Sequence, residues 1–251
     1  MSENIDKKLV GYITASYPDN NFTVDLALSM KEAGVDTLEL GIPFSDPVAD
    51  GPVIEKANLL ALNNGFKLND LFEVSSKIAP SMDTLWMGYM NPFFKYGIEN
   101  FLKKADEFGI TGTIIPDVPF EMAENILPLY KKYKKANISF VAPTDSEDRI
   151  KEIITNSQKF IYMVAYAGIT GSGQSEDLSK IIENVRKYTK TPLYIGFGVD
   201  ENTCKEKSKG VDGVIVGSTF VKHIIDDSLS SNEKITKITA IAKEIKEKIN
   251  E

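Results

Sequence analysis

The sequence predicts an eight-stranded parallel βα barrel, and three observations carry that prediction. Short apolar, β-branched runs alternate with longer amphipathic stretches along the chain, the pattern of parallel βα units. One helix–glycine–strand–turn unit recurs in Gly34-Val-Asp-Thr-Leu-Glu-Leu-Gly41, Gly109-Ile-Thr-Gly-Thr-Ile-Ile-Pro116 and Gly210-Val-Asp-Gly-Val-Ile-Val-Gly217. In each copy a glycine ends a helix, where positive φ is wanted, and a buried strand begins two residues later. The length of 251 residues suits a one-domain barrel of ~250 residues. An α/β fold of the (βα)8 TIM barrel type, spanning residues 1–251 as a single domain, is therefore expected. An open doubly wound sheet is the runner-up, but it usually has about five to seven strands.

The elements follow in order. Strands are expected at Leu9–Thr14, Asp36–Leu40, Thr84–Tyr89, Gly112–Pro116, Ile138–Ala142, Phe160–Ala165, Leu193–Gly196 and Val214–Gly217, each apolar enough to be buried on both faces. Helical periodicity appears between them at Phe22–Ala33, Ile98–Phe108, Met122–Lys135, Ser146–Ile154 and Leu178–Tyr188. Asn232–Ile249 is a Lys/Glu-rich helix for the outside of the barrel.

Composition narrows the function. Hydrophobic residues make up 42% and charged residues 26%, an ordinary soluble balance. The 29 Lys and Arg against 36 Asp and Glu give a net charge of −7, with no long basic block, which argues against nucleic acid and anionic membranes. An anionic ligand must then be attracted by local geometry. Cys204 is the only cysteine, so an intramolecular disulfide and a Cys-based zinc site are excluded. The acidic start lacks an apolar signal core, and no apolar run approaches the ~20 residues of a membrane span; a cytoplasmic location is expected.

In such a barrel the chemistry sits in the loops at the C-terminal strand ends. The loop after the second strand carries two carboxylates. Glu39 has opposite parity to Leu38 and Leu40, so if the leucines pack under the helices it points into the barrel mouth. Burial there would raise its pKa, as a proton carrier near neutral pH requires. The alternative is an interior ion pair. Asp50 lies eleven residues on, in a loop stiffened by proline and glycine; on its own it could equally be an Asx turn before Gly51-Pro52. Asp46, before Pro47, is better read as a turn or contact residue.

Gly196-Phe197-Gly198 and Gly217-Ser218-Thr219 end the last two strands, where this fold binds phosphate. Glycines let backbone N–H groups approach an anion. Gly168-Ile-Thr-Gly-Ser-Gly173 could form a third wall. There is no P-loop, no GxGxxG after a strand and no HExxH. The single His223 cannot build a His-rich metal site, and Ser218 has no nearby histidine base. Asp46, Asp50 and Asp117 have no specific metal spacing, so no metal is expected. Trp86 is read as core or pocket wall.

Leu38-Glu-Leu-Gly-Ile-Pro-Phe-Ser-Asp-Pro-Val-Ala-Asp-Gly-Pro52 closely resembles the signature of the tryptophan synthase α-subunit family. The resemblance continues, in the family's order, through Tyr89-Met-Asn-Pro92, Pro116-Asp-Val-Pro119, Ala167-Gly-Ile-Thr-Gly171, Gly196-Phe-Gly198 and Val216-Gly-Ser218. It implies cleavage of indole-3-glycerol phosphate to indole and glyceraldehyde 3-phosphate, with Glu39 and Asp50 on the family's catalytic positions. It also implies substrate contacts at Tyr12, Tyr162, Thr170, Gly171, Gly198, Gly217 and Ser218, with Tyr12, Ile54, Met87, Tyr162 and Phe197 walling an indole slot. No cofactor is implied on this chain. A β subunit holding pyridoxal phosphate is the implied partner in an α2β2 heterotetramer, met through the loops after the second and sixth strands with Pro43 and Asp46 as contacts.

The sequence departs from the family pattern in places. Ala165-Tyr166 stands where Ser-Arg is common, Ser16-Tyr17-Pro18 replaces Gly-Asp-Pro, and the segment before the first strand is short. These changes touch loop closure and packing rather than Glu39 or Asp50. A non-catalytic activator of a β subunit would lack one of the two carboxylates. A sugar-phosphate isomerase would not need Tyr12, Phe44, Tyr162 and Phe197 around the mouth. A stand-alone lyase differs only in its independence from a partner.

Overall fold

The computed structural model describes residues 6–165 and 178–251. Strands β1 (Lys8–Thr14), β2 (Thr37–Gly41), β3 (Asp83–Met87), β4 (Gly112–Ile114), β5 (Ala136–Asn137), β6 (Ser139–Val141), β7 (Ile161–Val164), β8 (Leu193–Gly196) and β9 (Gly213–Val216) form one parallel sheet in the order β5-β4-β3-β2-β1-β9-β8-β7-β6. The expected fifth strand, Ile138–Ala142, is instead two short pieces. β5 pairs with β4 and β6 pairs with β7, while the Ile138 N–H still donates to the Thr113 carbonyl at 3.0 Å. One stretch of chain thus serves both neighbours in turn, and the nine strands fill eight staves of a nearly closed TIM barrel.

Strand parity sorts the core into two shells. Val10, Leu85, Ile114, Ile138, Tyr194 and Ile215 fill the barrel interior. Their neighbours Leu9, Trp86 and Val214, with Leu38 and Leu40, face the helices. Outside lie α1 (Asn20–Glu32), α2 (Pro52–Asn63), α3 (Leu68–Ile78), α4 (Met90–Tyr96), α5 (Ile98–Phe108), α6 (Phe120–Tyr133), α7 (Glu147–Ile154), α8 (Ser179–Tyr188), α9 (Cys204–Lys207), α10 (Ser218–Ile224) and α11 (Ser231–Ile249). Asp19 caps α1 by accepting the Phe22 N–H at 2.9 Å, and Ser230 with Glu233 forms a capping box on α11. Gly34, Gly109 and Gly210, the glycines of the repeat, have φ of 98°, 80° and 75°. Among the described residues no helix is long and apolar enough to cross a membrane.

Trp86 shows how the outer shell is locked. It is fully buried, edge-on to Phe101 at 5.1 Å and tilted against Phe72 at 5.7 Å, and its Nε1–H donates to Ser75 Oγ at 2.8 Å. Trp86→Ala is expected to cost about 3–5 kcal/mol, measured as a lower urea midpoint; an unchanged midpoint would contradict this packing.

Candidate active site

Carboxylates mark the two ends of the barrel differently. At the N-terminal strand ends they are saturated. Asp36 accepts the Leu9 N–H at 2.8 Å and pairs with Lys246 at 3.0 Å; Asp212 accepts the Leu193 N–H at 2.7 Å and pairs with Arg186 at 2.7 Å. Asp83 is bonded by Lys159, Thr37 and Thr111. Burial pushes the Asp83 pKa up, but the Lys159 ammonium and the two hydroxyls outweigh it and hold the carboxyl below its ordinary value. These groups tie strand ends to one another and to the helices.

At the other end Glu39 and Asp50 have no cationic partner among the described residues. Glu39, in register between Tyr12 and Leu85, is only 3% exposed, and its Oε1 has no hydrogen-bond partner among the described residues. Its flanking leucines lie in the outer shell, so parity turns Glu39 inward, as the sequence predicts. Burial, and secondarily the charge of Asp50, push its pKa up to about 8. Asp50 is half-buried, just before α2. Burial raises its pKa to about 6, against hydrogen bonds from Tyr89 and Asn58 that favour the ionised form. The two carboxyls are pushed apart, so near neutral pH Glu39 is mostly protonated and Asp50 mostly ionised.

Asp50 has a support that sequence reasoning missed. Asn58, 1% exposed on α2, donates through Nδ2 to Asp50 Oδ2 at 3.2 Å. The Tyr89 hydroxyl accepts the Ala49 N–H at 3.1 Å and so spends its own proton on Asp50. The ring of Tyr89 stacks on Phe44 at 5.3 Å, holding the loop against the end of β3. A buried asparagine within a helix was the available signal, since such a group needs a partner; which partner depends on how the loop after β2 folds back.

Two of the other expected residues lie close to this pair. Tyr12 and Tyr162 are buried, and both feel the charges of Glu39 and Asp50. Each ring occupies space above a glycine on the neighbouring strand: a methyl at Gly41 would strike the Tyr12 hydroxyl, and one at Gly196 the Tyr162 hydroxyl. Phe197, 38% exposed, stands edge-on to Tyr162 at 6.0 Å, and Phe140 stacks on the same ring at 5.0 Å. Met87 packs partly buried on the interior cluster. Ile54 and Tyr12 both lie beside Gly217, 3.4 Å and 3.5 Å from where its Cβ would be. Gly198 and Ser218 are exposed, the latter as the first residue of α10. Thr170, Gly171 and the rest of the Gly168–Gly173 segment, with Tyr166, lie outside the described residues.

Pro43 is buried in the wall of an apolar hollow with Ile42, Phe66 and Tyr96, whereas Asp46 is exposed. Asp117 accepts the Met90 N–H at 2.9 Å and ties two loops together. Among the described residues no group of three or more His, Cys, Asp or Glu is placed to hold a metal.

The arrangement sets buried aromatic rings around one inward carboxyl with its pKa pushed up to about 8, beside a second at about 6, with glycine-rich turns at the ends of β8 and β9. Comparisons with known proteins point the same way. A family model described as "Tryptophan synthase alpha chain" matches residues 1–250. The chain is 58% identical over 245 residues to the tryptophan synthase alpha chain of Wolinella succinogenes, covering 97% of this chain and 96% of that one. It is 41% identical to that of Alkaliphilus metalliredigens, with 94% and 91% covered. Among solved structures, tryptophan synthase subunit alpha from Campylobacter jejuni matches with a TM-score of 0.85 at 31% identity over 94% of this chain and 96% of that chain. A structure of Mycobacterium tuberculosis tryptophan synthase matches with a TM-score of 0.88 at 28% identity over 99% and 94%.

Proposed function

The chain belongs to the tryptophan synthase alpha chain family, and from that premise we propose how its residues divide the work. The reaction is the lyase cleavage of indole-3-glycerol phosphate to indole and glyceraldehyde 3-phosphate, in tryptophan biosynthesis. The bond that breaks joins indole C3 to a carbinol carbon. Cleavage of that bond needs C3 protonated first, because only then can the ring accept the bonding electrons.

In our reading Glu39 gives its proton to C3. Asp50 faces the indole N–H, stabilises the cation and takes up the N–H proton in the neutral tautomer. Glu39, now a carboxylate, removes the carbinol proton as the carbonyl forms and the C–C bond breaks. The bonding electrons return to the ring and Asp50 returns its proton, so no proton is gained or lost overall. Tyr12, Ile54, Met87, Tyr162 and Phe197 hold the ring. Gly198, Gly217 and Ser218, with Thr170 and Gly171, hold the phosphate end.

The observation that carries this reading is the pair of carboxyls whose pKa values are pushed to about 8 and about 6 in one slot. The profile of kcat/KM for indole release is therefore expected to be a bell with apparent limbs near those values, the acidic one reporting Asp50 and the basic one Glu39. Asp50→Asn should lower the rate by on the order of 10²-fold or more and remove the acidic limb. A variant that retains that limb would assign it to another group.

We further propose a β-subunit partner in an α2β2 assembly and a cytoplasmic location. Pyridoxal phosphate belongs to the β subunit in this reading. Pro43 and Asp46 mark the contact face, where Val48 and Leu59, 81% and 57% exposed beside Asp46, supply apolar area. The test is indole release from indole-3-glycerol phosphate with and without a β subunit: stimulation supports the partner, and strong activity indifferent to β overturns it.

A further inference from the structure

Lys207 ends the short helix α9, an element that carries none of the residues assigned above. Its ammonium donates to the carbonyls of Gly198 at 2.6 Å and Phe197 at 3.1 Å. It has no ion pair among the described residues: the nearby carboxylate of Asp200 accepts the N–H groups of Asn202 and Thr203 and the Thr203 hydroxyl, each at 2.9 Å. Burial pushes the Lys207 pKa down, partly offset by the charge of Asp200. In a chain of net charge −7, a cation with no ion pair among the described residues, folded back on the turn after β8, calls for a reason.

Peptide geometry supplies one. In a trans peptide the C=O and the following N–H point in opposite directions. With the carbonyls of Phe197 and Gly198 both gathered on Lys207, the N–H groups of Gly198 and Val199 must turn the other way. Neither has an acceptor among the described residues. Phe197 and Gly198 hold this shape with φ of 69° and 66°; for phenylalanine that is a strained conformation that something must maintain. The Phe197 ring on Tyr162 ties the same turn to the slot.

We infer that Lys207 is a positioning residue for the phosphate end of the substrate: it orients two successive backbone amides toward the anion and leaves its own positive charge behind them. The inference rests on the phosphate-binding reading of this loop. It adds a residue that acts without touching the substrate, through carbonyls nine and ten positions back in the chain.

The test uses Lys207→Met and Lys207→Arg, assayed with the β subunit present. Steady-state kinetics on indole-3-glycerol phosphate are combined with binding of indole propanol phosphate and of unphosphorylated indole propanol. Lys207→Met is expected to raise KM on the order of 10-fold with kcat changed by less than about threefold, because the affected contacts hold substrate and transition state alike. Affinity for indole propanol phosphate should fall by the same factor, affinity for indole propanol should hold, and Lys207→Arg should restore most of the loss. An unchanged affinity for the phosphorylated probe in Lys207→Met, or an equal loss for both probes, overturns the role of Lys207. Equal binding of the two probes by the unsubstituted protein overturns the phosphate reading itself, and the inference with it.

Discussion

Glu39→Gln is expected to abolish measurable indole release, with a fall in kcat on the order of 10²–10⁴-fold and little change in binding of an unreactive substrate mimic. The glutamine amide matches the carboxyl in size but can neither give a proton to C3 nor take one from the carbinol. Both proton transfers are assigned to this one group, so the upper part of the range is the expectation. The protein should fold normally, because the site already accommodates a neutral side chain: Glu39 is 3% exposed and its pKa stands at about 8. Single-turnover assays with indole-3-glycerol phosphate, alongside equilibrium binding of indole propanol phosphate, separate chemistry from binding. Retention of a tenth or more of the wild-type kcat would remove Glu39 from the reaction and leave Asp50 to act with solvent.

The same substitution should change how stability depends on pH, by several kcal/mol across the range. The ordinary glutamate value of 4.5 applies to the unfolded chain, and the folded value is about 8. Below the first, the carboxyl is protonated in both states and the protein has its full stability. Between the two, the unfolded chain ionises while the folded one holds its proton, so stability falls by about 1.4 kcal/mol per pH unit. Above the second, both are ionised and the loss is complete. Glu39→Gln carries no such group, so its advantage over wild type should grow from pH 5 to pH 8. Asp50, raised in the same direction, and Asp83, lowered, are present in both proteins and cancel in the comparison. Urea unfolding at several pH values measures the difference; parallel curves would mean that Glu39 is solvated in the folded state. Such a group lowers stability at working pH in order to hold a proton where the reaction needs one.

Much of this was legible in one dimension because barrel building is local. Each βα unit announces itself by a period of two followed by a longer helical period, and Gly34, Gly109 and Gly210 mark the junctions by requiring positive φ. Parity places Glu39 inward only on the condition that Leu38 and Leu40 pack under the helices, which is the shell they occupy. Asp50 on its own reads equally as a turn residue or a catalyst, and only the resemblance of the motif around it favours the second. The helix pair α2 and α3 after β2 and the division of the fifth strand at Ile138 were not read in advance. Strand breaks depend on which neighbour supplies the next hydrogen bond, which a propensity pattern does not contain.

The sequence by itself determined the fold class and, once Leu38 and Leu40 are placed under the helices, the inward direction of Glu39. Those follow from periodicity, glycine placement and the alternation of side chains along a strand. Only the tertiary structure decided the electrostatics: that a Glu39 oxygen has no partner among the described residues, that Asn58 and Tyr89 hold Asp50, and that Lys207 gathers the carbonyls of Phe197 and Gly198. These depend on distances between atoms far apart in the chain. Such distances are set by how loops close over a packed barrel, and the order of the residues does not record them.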